Sequence, residues 1–163
     1  MNERPKLKIK KTAWEYVLDG IGLLAFLASL FYIFYIWSAL PETIPIHFDV
    51  HNEPNGWGSR GVLFIIPAIG LPMWVGMLFL DQYPHKHNYV WLTEENVYRQ
   101  YRNSILSMNV MRNQFIIFFS LVSWMTVDLA SGGDPPLGRT ALISIAVILA
   151  TMVFFTYRSY KLR

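Results

Sequence analysis

The sequence predicts an all-α integral membrane protein with four transmembrane helices, both termini in the cytoplasm and a structured first extracytoplasmic loop. Three observations carry that reading. The 163-residue chain is 53% hydrophobic and only 15% charged, far from the balance of a soluble domain of its size. Its apolar residues are clustered: Val17 to Leu40 holds a single acid near its start and Val62 to Leu80 holds no charge, so each run can cross a bilayer. Of the 14 basic residues, only Arg60 and Arg139 lie outside the N-terminal segment, the loop between helices two and three, and the C-terminal segment. The positive-inside rule therefore puts both termini and the second loop in the cytoplasm and the first and third loops outside. A soluble bundle would have to bury four such helices on every face, against the surface-to-volume ratio of so short a chain.

Taken in order, Met1 to Lys11 is too basic for the apolar region of a signal peptide, so helix one is expected to remain as an anchor. That helix spans about 17–40. Trp14, Glu15 and Tyr16 form its interfacial start, Phe31, Tyr32, Phe34, Tyr35 and Trp37 form an aromatic belt, and Pro41 ends it. Helix two, about 62–80, carries Pro67, Gly70, Pro72 and Gly76, which remove amide donors and predict a kink. A cytoplasmic helical segment follows over about 94–109, with Thr93 as N-cap and Glu94 and Glu95 at its positive end. Val97, Tyr101, Ile105 and Met108 make one apolar stripe, with Arg99, Arg102 and Asn103 on other faces. This predicts a helix lying on the membrane or against neighbouring helices, or docking a cytoplasmic regulator. Helices three and four, about 110–130 and 139–158, are joined by the tight Ser131 to Pro136 turn and are antiparallel neighbours.

Chemistry is most densely written in the motif loop, 41–61. Ile44 to Val50 alternates, and in an extended chain His47, Asp49, His51 and Glu53 would project from one side. Two imidazoles and two carboxylates suit a divalent metal such as zinc, and an unfilled coordination position could activate water. The competing reading is structural: Pro41 and Pro45 restrict the chain, and Glu53, Pro54, Asn55 and Gly56 form a turn packed down by Trp57. The second His-x-His pair, His85 and His87, falls in the cytoplasmic loop and is expected to be solvated. Within the membrane, Asp19 and Asp128 are the expected ionisable groups, both near interfaces. Asp128 is placed within reach of Arg60, Arg139 or the His47 loop. No phosphate-binding glycine loop, HExxH helix or nucleophile elbow is present. Cysteine is absent, which excludes disulfides and thiolate chemistry. The net charge of +3 marks the cytoplasmic side and does not call for nucleic acid.

The run Leu40-Pro-Glu-Thr-Ile-Pro-Ile-His-Phe-Asp49, then Glu53-Pro-Asn-Gly-Trp-Gly-Ser-Arg60 and an apolar helix, resembles the signature of a bacterial membrane domain of unknown function. That domain also forms the N-terminal part of SdpI-type immunity proteins. The resemblance implies Pro41, Pro45, His47, Phe48, Glu53, Pro54, Gly56, Trp57, Gly58 and Ser59 as the motif. Where the family usually carries a glycine before the Glu-Pro pair, this chain has His51 and Asn52. SdpI-type proteins protect against a secreted toxic peptide and transmit its presence to a cytoplasmic repressor; this chain is shorter. The resemblance implies a non-enzymatic immunity or signalling protein of the bacterial cytoplasmic membrane.

Three functions follow as expectations. In the first, a secreted peptide binds through His47, Asp49, Glu53, Asn55, Trp57 and Arg60, and the helix from Glu94 reports to a cytoplasmic regulator. The second is a metal-dependent membrane enzyme using His47, Asp49, His51 and Glu53. The third is a small transporter or channel, as a homo-oligomer because four short helices enclose little pore volume.

Overall fold

The computed structural model describes residues 4–49 and 53–163. The chain runs through helix α1 (Ala13–Ile36), strands β1 (Thr43–Phe48) and β2 (Pro54–Ser59), a 3-10 stretch (Arg60–Phe64) continuous with α2 (Ile65–Leu80), and a short 3-10 turn (Pro84–Lys86). It ends with α3 (Val97–Ala130) and α4 (Leu137–Lys161). Among the described residues, four helices are long and apolar enough to cross a membrane. Their most apolar windows are only 22%, 22%, 33% and 11% buried, so most of that surface needs a lipid-like solvent.

α3 is the axis of the bundle: α1, α2 and α4 all pack against it. Ile105, Asn109, Arg112, Ile116, Ser120, Ser123 and Val127 are buried along its length, at the three-and-four spacing that keeps one face turned to its neighbours. Close approach comes from small residues. A Cβ on Gly22 would lie 2.5 Å from Asn113 Oδ1, and one on Gly70 would lie 3.1 Å from Phe119. Phe26, Trp74 and Ile116 form the core cluster at mid-height.

Several element boundaries differ from the sequence expectation. α1 starts at Ala13 rather than near 17, because Thr12 closes its first turn by donating from both N–H and Oγ1 to Glu15 Oε2 at 2.8 Å. It stops at Ile36 rather than 40; Ile36 O then accepts from Ala39 N and Leu40 N in a terminal turn. The segment expected over 94–109 and the helix expected from 110 are one helix of 34 residues. Its N-cap is Asn96, and Thr93 instead exchanges hydrogen bonds with Asn96 one turn earlier. The first half of α3 packs against neighbouring helices rather than on the membrane surface, one of the placements the apolar stripe allows. Val97, Tyr101 and Ile105 are buried, and Asn103, expected off the apolar stripe, is buried as well and donates to Phe155 O of α4. α4 begins at Leu137, straight after the Pro135-Pro136 pair, and continues to Lys161.

Candidate functional site

Two clusters of polar chemistry sit at opposite ends of the bundle. At one end, β1 and β2 pair antiparallel, with Thr43 opposite Ser59, Ile44 opposite Gly58 and His47 opposite Gly56. Glycines on β2 make room for β1 side chains: a Cβ on Gly56 would meet His47 Cβ at 2.8 Å, and one on Gly58 would meet Ile46 Cδ1 at 2.8 Å. The hairpin is anchored by Ile44, which is wholly buried with Ile33, Leu40, Leu63, Val127 and Ala130. Burying such a side chain contributes about 1.5–3 kcal/mol. Arg60 is the second anchor. Its Nη1 donates to Trp37 O at 2.8 Å and Leu40 O at 2.9 Å, and its guanidinium lies 4.5 Å from the Trp37 ring centroid. It thus satisfies carbonyls beyond the end of α1, the role a cation performs well at a helix C-terminus.

The other predicted ligand-binding residues divide by exposure. His47 is exposed and its Nδ1 bonds Asn55 Oδ1 across the hairpin. Asp49 Oδ1 accepts from Glu53 N at 2.9 Å, while Asp49 N donates to Glu53 O at 3.0 Å, which closes the reversal between the strands. Trp57, expected to pack the turn down, is instead 60% exposed, and Ile46 is 49% exposed. Trp57 contributes to a cavity of about 340 Å³ with Pro45, Pro54, Leu129 and Gly133. A second opening of about 570 Å³ is lined by Trp37, Glu42, Thr43, Ser59 and Arg60.

Of the candidate metal ligands, the described His47, Asp49 and Glu53 do not share a single alternating strand. Register irregularities on either side of His47 break the period of two, and β1 ends at Phe48, so Glu53 lies across the reversal. His51 lies outside the described residues. Among the described residues, no three His, Asp or Glu side chains come together as a metal would need. Asp128 forms no ion pair with Arg60, Arg139 or His47 among the described residues; its carboxylate lies against Gly133.

The opposite end holds a buried ionic cluster that sequence reasoning missed. Arg112 is completely buried. Its Nη2 donates to Asp19 Oδ1 and Oδ2 at 2.6 and 2.8 Å, its Nε donates to Asp19 Oδ1 at 3.1 Å, and its Nη1 pairs with Asp81 Oδ2. Lys11 Nζ joins them, 3.2 Å from Asp19 Oδ2 and 3.1 Å from Asp81 Oδ2. Two cations thus balance two carboxylates, the arrangement that makes burial of charge tolerable. Asn109 and Asn113 donate to Asp19 Oδ1 at 3.0 and 2.8 Å, and Trp74 Nε1 donates to Asn113 Oδ1 at 3.0 Å. One turn away, Arg102 grips the buried Glu15 with both terminal nitrogens, at 2.9 and 2.6 Å. Asp81 Oδ1 and Asn109 Oδ1 are buried without a hydrogen-bond partner among the described residues.

Asp81 and Arg112 each stand at the edge of an apolar run, where composition does not mark them as buried. The signal available was the Thr12-x-x-Glu15 capping box, which carries α1 back to residue 13 and puts Asp19 well inside it. The three-and-four spacing of Arg102, Ile105, Asn109, Arg112 and Ile116 was the other.

His87, expected to be solvated, is buried at the same end. Its Nε2 donates to Leu80 O at 2.9 Å, since a carbonyl can only accept, which leaves Nδ1 to accept from Ser104 Oγ at 2.8 Å. Tyr89 stacks on Tyr101 and donates to Pro84 O; burial pushes its pKa up to about 12, which keeps the phenol protonated at neutral pH.

Residues 24–71 match the family described as Domain of unknown function (DUF1648). The match runs from the middle of α1 through the hairpin to the middle of α2. An uncharacterized protein of Archaeoglobus fulgidus is 41% identical over 49 residues, which are 30% of this chain and 27% of that protein. The chain therefore covers little more than a quarter of the length of the curated relative it matches. No solved structure matches.

Proposed function

We propose that this is a non-enzymatic multi-pass membrane protein of the SdpI-like immunity or signalling type, whose hairpin binds an extracytoplasmic ligand such as a secreted peptide. Both termini face the cytoplasm in this reading, on the strength of the basic-residue asymmetry, and the protein sits in the cytoplasmic membrane. The archaeal relative means that the matched segment is not confined to bacteria. The observation that carries the reading is the hairpin itself: a motif clamped to the bundle by Ile44 and Arg60 yet presenting Ile46 and Trp57 to the outside. An apolar pair on a rigid support suits recognition, because little ordering entropy is lost on binding. α3 supplies the link to a cytoplasmic regulator. It touches the hairpin anchor through Val127 and Ala130 and carries Arg112 in the ionic cluster, so a ligand favouring one setting of α3 would be felt at both ends.

The absence of cysteine makes topology directly testable. Single cysteines at Thr43 or Ser59 are expected to react with an impermeant thiol reagent in intact cells, and one at Lys161 only after lysis. Labelling of Lys161→Cys in intact cells would overturn the orientation. For function, Trp57→Ala and His47→Ala are expected to abolish ligand binding or protection at normal membrane abundance. Full protection by both variants would sink the hairpin as the binding element.

A second reading, ion or proton transport, is favoured by one observation: the Asp19, Asp81, Arg112 and Lys11 cluster supplies buried charge, the usual mark of an intramembrane pathway. Proteoliposome flux that disappears in Asp81→Asn would support it. Flux unchanged by both Asp81→Asn and Asp19→Asn would remove the cluster from any such pathway.

A further inference from the structure

The segment before α1 is a strap. Along residues 4–11 exposure alternates: Arg4, Lys6, Lys8 and Lys10 are exposed, while Pro5, Leu7, Ile9 and Lys11 are half-buried, the period of two of an extended chain. Both ends are fastened. Arg4 Nη1 donates to His87 O at 2.6 Å and to His85 O at 3.3 Å, with its guanidinium 5.6 Å from the Tyr89 ring centroid. Lys11 is tied to Asp19 and Asp81 in the ionic cluster.

Between these fastenings the strap borders a cavity of about 880 Å³, within the range of about 300–1,000 Å³ typical of small-molecule sites. Leu7, Ile9, Tyr16 and Leu78 supply apolar lining, and Lys8 and Lys10 also line it. Asp81 contributes a carboxylate to the lining, but Lys11 and Arg112 already balance that charge. Lys8 and Lys10 have no ion-pair partner among the described residues. Two lysines without an ion-pair partner among the described residues thus border the cavity together with its apolar lining residues. The cavity lies where α1 begins and α2 ends, and the exposed Trp14, Val17, Phe79 and Leu80 neighbour its lining residues in sequence; the ends of apolar spans are where headgroups are expected.

We propose that this strapped cavity binds an anionic phospholipid, its phosphate between Lys8 and Lys10 and its acyl chain running along Tyr16 and Leu78 into the bilayer. Charge complementarity selects the occupant. A zwitterionic lipid brings its own cation to the phosphate, and a free phosphate makes no use of the apolar lining; basic pockets at the ends of membrane helices take anionic headgroups in this way. The proposal needs the bundle in a bilayer, and depends neither on the hairpin's ligand nor on which end is cytoplasmic.

The test is lipid retention by the full chain in mild detergent, read by native mass spectrometry during titration with phosphatidylglycerol or phosphatidylcholine, with inorganic phosphate as competitor. Wild type is expected to hold one phosphatidylglycerol per chain in preference to phosphatidylcholine, undisturbed by millimolar phosphate. The double variant Lys8→Gln, Lys10→Gln is expected to bind about thirtyfold more weakly, the equivalent of about 1 kcal/mol per lysine near the surface. Lys6→Gln, which alters a strap lysine outside the cavity lining, should bind as wild type does. Equal retention of the two lipids, or undiminished binding by the double variant, would overturn the site. Displacement by inorganic phosphate would make it a soluble-anion site and overturn the lipid assignment.

Discussion

The two ends of this bundle solve opposite problems with similar residues. At the hairpin end a single arginine, Arg60, caps backbone carbonyls and stacks on Trp37, while the neighbouring Trp57 and Ile46 stay exposed. At the other end Arg112 is wholly buried and joins three helices through Asp19 and Asp81. The first arrangement positions a surface; the second fixes how helices sit against one another. A rigid presenting element and an internal clamp need different chemistry, because exposed charge is screened by water and buried charge is not.

Mutations should separate the two ends, with the largest effect at the buried clamp. Arg112→Ala leaves two carboxylates near one lysine and is expected to cost about 3–5 kcal/mol, read as loss of folded protein in detergent unfolding. Asp19→Asn with Asp81→Asn in the same chain should restore part of that loss; no restoration would mean that Arg112 acts through packing alone. Ile44→Ala, at the hairpin anchor, should cost about 2–4 kcal/mol and increase proteolysis between β1 and β2 while the transmembrane helices stay protected. A smaller effect, about 1–2 kcal/mol, is expected for Arg60→Gln, visible as faster amide exchange at the end of α1. Trp57→Ala should shift stability by no more than about 0.5 kcal/mol, as substitutions at exposed positions do. A large loss of stability in that variant would mean that the hairpin surface is structural, and would erase the contrast between the ends.

Much of this was legible in the sequence. Apolar runs located four helices, because crossing hydrocarbon demands length and apolarity that composition displays directly. The hairpin region stood out through its prolines, glycines and aromatic residues, and residues 24–71 are the segment that matches a known domain. Legibility failed where a residue's role depended on a distant partner. Arg60 reads in the sequence as a ligand-binding cation, and only the fold shows that its Nη1 also caps the carbonyls of Trp37 and Leu40, some twenty positions earlier. His87 looked solvated, yet Leu80 and Ser104 take both ring nitrogens.

By itself, then, the sequence determined what must be true of each segment alone: which stretches can lie in lipid, where the chain must turn, and which end carries the positive charge. Only tertiary structure decided that α3 is one continuous axis, that residues 4–11 form a strap, and that Lys11, Asp19, Asp81 and Arg112 are a single ionic unit. The physical reason is that hydropathy is a property of a local window, whereas a buried charge is tolerated through partners that helix packing brings in from elsewhere in the chain.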